Sequence, residues 1–529
     1  MKQILFQLAP AARSSPQASL GARLATCPDL HCESIRREDL SARHSFEKLK
    51  FASDETTRRS VVSLLRLSHS PLLSSRPHPF TGKTSGTLLY LCRFRCTFST
   101  STNKPKASKS ESTVHHSYVP TEDVEKLERY RAGGYHPVAI GHWFHDRYRV
   151  VHKLDHGSYS TIWLARDERT SKYVAIKVCT ADSNPYELEV LSSLSRSRQR
   201  SDKSLGKTML PLILDSFKIQ GPNGTHACYV TSPARMSLSD AKDGSYIRLF
   251  SLEVARALAA QLALAVEYLH AQGLAHGDIH YGNVLLQLPS GVDQLSEEKL
   301  YEMYGEPESQ AVIRFDQKEL PPCVPSCGIL PVWLGDASEK LVLPEAKLLL
   351  SDLGEAFSPA QRDRFESHTL ANRPPETRFE PETPLSFSSD TWSLACSIWD
   401  IIAQSPLFEG FLATEDDMTR EHVDARGILP PEWWNRWEAR QNKFSEDGRP
   451  INRGSYRSLE DRFEDSVQQP RHAEGMLLFE PDERDALLSM LKSMLSFRPD
   501  DRASAREVLA SEWMVKWALP EYKRVGLGS

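Results

Sequence analysis

"LAHGDIHYGNVLL" (274–286) sets Asp278 and Asn283 five residues apart in a polar loop that runs into an apolar stretch. A short apolar run of this kind reads as a buried strand. Two oxygen-bearing side chains at the mouth of one strand suit a hydroxyl to be oriented and a Mg²⁺ ion to be held. Upstream, "SLEVARALAAQLALAVEYLHAQG" (251–273) carries Leu and Ala at helical spacing and stops at a glycine. Downstream, "KLLLSDLGEAF" (347–357) is a second buried strand, ending in Asp352 and then Gly354. A carboxylate there suits metal binding, and a solvent-facing turn aspartate fits the same residues without chemistry.

Moving the terminal phosphoryl group of a nucleotide also needs a clamp over the phosphates and a cation on them. "YRVVHKL", "STIWLARDE" and "KYVAIKVC" follow one another from residue 148, rich in β-branched and aromatic residues, and predict an antiparallel meander. In "LDHGSYSTIWLA" (154–165) a tight turn between two of these strands would expose N–H groups to phosphate. Gly157 is alone there, with Asp155 and Ser160 at the flanking positions of a three-glycine pattern, and a plain hairpin fits as well. Lys177 lies on the third strand between apolar neighbours, and a surface lysine is its bland reading.

"SNPYELEVLSSL" (183–194) predicts a helix opened by Pro185. Glu187 shares a face with Val190, Leu191 and Leu194, whereas Glu189 is rotated away. A carboxylate on an apolar face wants a cation, and Lys177 is available. The alternative is a capping box with Asn184.

Across all 529 residues, 40% hydrophobic and 26% charged content is that of a globular protein. A net charge of -5 gives no general case for nucleic-acid binding, and no apolar run reaches the roughly 18 residues of a spanning helix. The nine Cys are scattered and read as reduced thiols; Cys92/Cys96 and Cys323/Cys327 lack the second pair that a zinc site needs. Residues 1–118 read as a disordered leader, Ser- and Arg-rich and free of Asp and Glu from Thr56 through Ser110. "RFRCTFSTST" (93–102) looks like the end of a mitochondrial presequence, although acidic residues between 33 and 55 interrupt the pattern. Residues 119–147 form an extension in which "EDVEKLERYRAGGYHPV" (122–138) reads as a short charged helix closed by Gly133-Gly134. A polar, Pro-containing stretch over about 288–346 reads as an insertion.

The ordered set resembles a eukaryotic-type protein kinase from about Tyr148 to Trp513. Lys177 and Glu187 match its strand-lysine and helix-glutamate pair, "HGDIHYGN" (276–283) its catalytic loop and "DLG" (352–354) its metal triplet. "PPE" (374–376) looks like the end of the activation segment, with Glu376 expected to pair with Arg502 of "RPDDRASAREVL" (498–509). Asp390 of "SDTWSLACSIWDI" (389–401) matches the aspartate that braces the loop. The SR-protein kinase group is the most similar, through Ser160, "WSLAC", "LFEG" (407–410), the long insertion and the entry sequence "VEKLERYRAGGYHPV". Aminoglycoside and choline phosphotransferases share the Asp and Asn but generally lack the "PPE" to Arg502 bracket.

This resemblance implies an α+β, two-lobed fold: a small antiparallel-sheet lobe with one helix (148–235), a larger mainly helical lobe (236–514) and a tail (515–529). It implies ATP and Mg²⁺ as cofactors, with Leu154, Gly157, Ser158, Ser160, Ile162, Ala175, Lys177 and Glu187 around ATP and Asn283 and Asp352 on the metal. Asp278, Lys177 and His280 become the catalytic set, and Glu376, Asp390 and Arg502 the structural one. Protein substrates, Arg-Ser-rich by family, and a monomeric chain in cytoplasm or nucleus are implied as well, against the mitochondrial sense of the leader. Glu415, Asp416 and Asp417 would offer an acidic surface to basic substrate, or simply a solvated loop. Several positions depart from the pattern, Asp155 and the glycine-poor phosphate turn among them. Gly277 replaces an arginine that grips phosphorylated activation segments, which argues against activation by that route. His280 replaces a lysine, which removes a fixed cation beside the transferred group.

Overall fold

In a computed structural model of the chain, residues 117–197, 204–365, 369–451 and 457–525 are described. The presequence-like leader up to residue 116, with Cys92 and Cys96, lies outside the described residues.

Strand-forming residues build a six-stranded antiparallel sheet in the order β1-β2-β3-β4-β6-β5. Its strands are β1 (Trp143–Phe144), β2 (Tyr148–Gly157), β3 (Ser160–Asp167), β4 (Lys172–Cys179), β5 (Asp215–Gly221) and β6 (Gly224–Thr231). Successive side chains leave a strand on opposite faces. Val150, Trp163, Val174, Ile176 and Val230 fill one face with Val138 and Phe144 of the extension. Val151, Leu164 and Tyr173 fill the other, against Val292, Leu300 and Leu334. Both faces are covered, which is why these strands lack clean polar alternation.

Helix α1 (Tyr186–Ser197) follows β4. The larger part is built on α2 (Leu252–Ala271) and, farther along, α4 (Phe387–Ile402). Ala and Leu favour the helix in α2, and Leu258, Leu262, Val266, Trp392, Ile398 and Trp399 join one core with Leu487 and Leu491. A three-stranded sheet, β7 (Ala234–Ser237), β8 (Val284–Gln287) and β11 (Leu348–Leu350), lies over this core with β8 in the centre. The sheet-rich part and the helical part together form a mixed α+β, two-lobed fold.

Two expectations need correction. Residues 122–138 hold only a 3₁₀ turn, Leu127–Arg129, in place of a helix. Glu125, Leu127, Tyr130 and Tyr135 are buried there in tertiary contacts, a spacing that no exposed charged helix would satisfy. The insertion, assigned by sequence to the larger lobe, packs on the small sheet. It forms α3 (Glu297–Tyr304) and a hairpin of β9 (Ser309–Ala311) with β10 (Cys327–Ile329). Lys153 of β2 marks the junction: its buried ammonium meets Glu125 of the extension and Ile329 O of the insertion. Among the described residues no helix is long and apolar enough to cross a membrane, and Cys179, Cys228, Cys323, Cys327 and Cys396 are free thiols.

Candidate active site

Val174, Ile176 and Val178 turn into the sheet core, so Lys177 points to the other side of β4. Its Nζ lies 2.6 Å from Glu187 Oε2 in the first turn of α1. Asn184 caps that turn by accepting Tyr186 N–H at 3.0 Å. The glutamate carboxylate thus goes to the lysine. Burial alone would push the Lys177 ammonium down, but Glu187, Tyr229 and Asp352 outweigh it and hold it well above its usual range. Burial pushes the Glu187 carboxyl up, and Lys177, aided by hydrogen bonds from the Tyr229 hydroxyl and Leu353 N–H, brings it below its usual range.

The hydrogen bond from Leu353 N–H to Glu187 places the end of β11 beside the same pair. Asp352 has φ +61°, uncommon for a side-chain-bearing residue, directly after the buried Leu348–Leu350 strand. Ser351 N and Oγ both donate to Asn283 O at 2.9 Å, which joins this turn to the loop after α2. Asn283 Nδ2 donates to Asp278 O at 3.0 Å. Its amide oxygen is therefore turned away from that bond. Among the described residues no group of three or more His, Cys, Asp or Glu could hold a metal unaided. Oxygen donors from Asn283 and Asp352 fit Mg²⁺, which commonly takes one or two protein ligands and completes its shell with phosphate and water.

Asp390 in α4 accepts His276 N–H at 2.6 Å and Gly277 N–H at 2.9 Å, and His270 Nε2 lies 3.0 Å away. Burial pushes the Asp390 carboxyl up, and His270, His276 and Gly277 N–H hold it below its usual range. Gly277 has φ +83°, and a Cβ on it would come within 2.4 Å of Glu355 O. No side chain fits, arginine included. Gly277→Ala should lower stability by about 1–3 kcal/mol, read from the denaturant midpoint. A midpoint unchanged from wild type would contradict this packing.

Asp278 Oδ1 accepts from Thr369 Oγ1 at 2.8 Å. His280 Nε2 stands 3.7 Å from Asp278 Oδ2, too far for a short hydrogen bond. Burial pushes the Asp278 carboxyl up, yet His280, Thr369 and His276 together bring it down to about 2. It is ionised at any physiological pH.

The remaining nucleotide positions belong to the sheet. Gly157 pairs with Ser160 across the Ser158-Tyr159 turn, Ile162 pairs with Lys177, and Ala175 pairs with Leu164. Leu154 sits partly buried beside the cluster shared with the insertion. Farther off, Glu376 and Arg502 form a buried two-point ion pair at 2.7 and 2.5 Å.

The acidic run differs from an open groove. It opens helix α5 (Glu415–Arg426), capped by Thr414 with Asp417. Asp416 accepts from Arg378 at 2.5 Å and from Trp437 Nε1 at 2.8 Å, and Asp417 accepts from Lys443 at 3.0 Å. Only Glu415 of the three is largely exposed, 3.4 Å from Arg373.

Sequence reasoning missed Tyr229, whose ring lies 5.8 Å from Lys177 Nζ and whose hydroxyl reaches Glu187. The signal is the register Lys177↔Tyr229 between β4 and β6, invisible until strand pairing is known. It also missed Arg235 of β7, which bonds Leu334 O, Glu345 and Asp336 of the insertion.

No family model matches the chain. It is similar to the serine/threonine-protein kinase SRPK of Physarum polycephalum, 25% identical over 410 residues, 74% of this chain and 91% of that one. It is 37% identical over 166 residues to the protein kinase dsk1 of Schizosaccharomyces pombe, 31% of this chain and 30% of that one. It is 32% identical over 182 residues to the serine/threonine-protein kinase SKY1 of Saccharomyces cerevisiae, 33% of this chain and 24% of that one.

Proposed function

We propose that this chain, a protein kinase of the SR-protein kinase type, transfers the γ-phosphoryl group of ATP to serine or threonine hydroxyls of protein substrates. One observation carries the reading: Lys177 pairs with Glu187, Asn283 bonds Asp278, and the Asn283 carbonyl holds Ser351, the residue before Asp352, whose charge acts on Lys177. Lys177, held charged, binds the α- and β-phosphates. Asn283 and Asp352 hold Mg²⁺, which when bound neutralises charge on the transferred group. Asp278 Oδ1 accepts from Thr369 at 2.8 Å, and Oδ2, with only long contacts to Asn283 Nδ2 at 3.5 Å and His280 Nε2 at 3.7 Å, is the oxygen that receives the substrate hydroxyl. A carboxyl with a pKa of about 2 is a weak base, and its contribution is orientation of that hydroxyl with late uptake of its proton.

Arg-Ser-rich substrates are the class this reading favours, and the exposure of Glu415, the most open of the three acidic residues, supports it. The test offers the full chain labelled ATP with Mg²⁺ and either an Arg-Ser repeat peptide or a generic basic protein, beside Asp278→Asn. Incorporation that disappears in the variant supports transfer, and preference for the repeat peptide supports the substrate class. No incorporation, with ATP still raising the melting temperature, would sink the enzyme reading for these substrates.

That outcome would favour a nucleotide-binding scaffold, a reading supported by the imidazole of His280 at the position of a lysine. His280→Lys discriminates the two. It restores a fixed cation beside the transferred group and should raise turnover roughly tenfold, less than the 10²–10³ lost when a donor is removed outright. A scaffold stays silent in both forms.

A further inference from the structure

The turn between β2 and β3 is poor in glycine, and the N-terminal extension is bonded to its backbone. Tyr135 Oη donates to Gly157 O at 2.6 Å and lies 3.2 Å from Ser158 O. The Arg129 guanidinium donates to Ser158 O. It also stacks over the rings of Tyr135, at 5.3 Å, and Tyr159, at 5.1 Å.

This frame is itself fixed. Tyr135 is 3% exposed. Gly134 packs so tightly that a Cβ on it would lie 1.7 Å from Arg129 O. On its other side Gly133 N donates to Asn223 O, while Asp182 N and Ala181 N donate to Gly133 O and Gly134 O at 2.8 and 3.1 Å. Thr180 N in turn donates to Tyr159 O at 2.8 Å. The phosphate turn, the extension and the lead-in to α1 are thus one bonded unit.

In a trans peptide the C=O and N–H groups point to opposite sides of the chain. With the Gly157 and Ser158 carbonyls drawn to Tyr135 and Arg129, the N–H groups of Ser158 and Tyr159 face away from the extension. A three-glycine turn can adjust its peptide planes to a phosphate when it binds. Here the planes are set beforehand by two side chains from outside the sheet.

We propose that Arg129 and Tyr135 are positioning residues for the nucleotide, orienting the Ser158 and Tyr159 N–H groups toward its phosphates. The proposal rests on the kinase reading above, and its test separates the two. Calorimetry on the full chain measures the affinities of Mg-ATP and of adenosine, which lacks phosphate, for wild type, Tyr135→Phe, Arg129→Ala and Arg129→Lys. Tyr135→Phe and Arg129→Ala should each weaken ATP about fivefold, the worth of one hydrogen bond, and leave adenosine unchanged. Arg129→Lys, which keeps one donor, should recover part of the loss.

Wild type that prefers ATP to adenosine, with the preference intact in Tyr135→Phe and Arg129→Ala, overturns this proposal and spares the kinase reading. ATP and adenosine weakened in step, with a lower nucleotide-free melting temperature, would mark a merely structural role and overturn it as well. Wild type with no preference for ATP brings down both.

Discussion

Asp278→Asn should cut phosphate incorporation by roughly 10²–10⁴-fold, the usual worth of a positioned proton acceptor, with ATP still raising the melting temperature of the variant. The substitution keeps the shape and the acceptor oxygen that Thr369 uses at 2.8 Å. It removes the negative charge that faces His280 and that, in the proposed function, holds the substrate hydroxyl by its proton. Nucleotide binding, which the proposal assigns to Lys177 with its charge held by Glu187, should be spared. Equal incorporation by wild type and variant would show that the transferred phosphate comes from a contaminant or that another group receives the hydroxyl.

Linkage gives the pH dependence its sign. The Asp278 carboxyl has its pKa depressed from the ordinary value near 4 to about 2 in the folded chain. It therefore contributes stability that is present above about pH 4 and is lost as pH falls through about 2. Asp278→Asn should abolish that contribution, so the stability difference between the two proteins narrows in that acid window. Between pH 6 and 8 the group does not titrate, and any inflection in turnover there belongs to other residues.

How much of this was open to a reader of the sequence depends on the range of the interaction. The Lys177–Glu187 pair was legible because both partners are dictated locally: Lys177 sits in a strand and Glu187 shares a helical face with Val190, Leu191 and Leu194. The order of Asp278, Asn283 and Asp352 along two buried strands was legible for the same reason. The bond between Thr369 and Asp278 spans 91 residues and leaves no local trace. The insertion misled because its buried positions, Val292, Leu300 and Leu334, are too far apart to show a period, and the apolar second face of the strands does not say which segment covers it. Gly277 showed what had been lost there, an arginine. Only the approach of Glu355 O shows why nothing else can stand in its place.

Arg502→Ala should cost about 3–5 kcal/mol, the usual loss when one partner of a buried ion pair is removed. Against a total of about 5–15 kcal/mol for a domain this is enough to move the denaturant midpoint far down. The loss has several sources. Glu376, whose side chain is 4% exposed, would be left charged and unpaired. Arg502 also donates to Ser496 O, Phe497 O and Ser388 O at 2.7, 3.0 and 3.1 Å, and covers the ring of Trp392 at 5.1 Å. A double-mutant cycle separates them. Glu376→Gln combined with Arg502→Ala removes the stranded charge, and its loss should fall short of the summed single losses by roughly 2 kcal/mol. Strict additivity would show that the pair itself contributes nothing and that the carbonyl bonds and the Trp392 contact account for the cost. The same variant reaches the chemistry by a short route. Four residues before Glu376, Asn372 donates to Ile279 O at 3.2 Å and its own carbonyl accepts from Ser393 at 2.9 Å, and Ile279 follows Asp278 directly. Arg502→Ala should therefore slow transfer at temperatures where the chain is still folded, with a smaller effect on Mg-ATP affinity, because Lys177 and the turn between β2 and β3 lie outside this route.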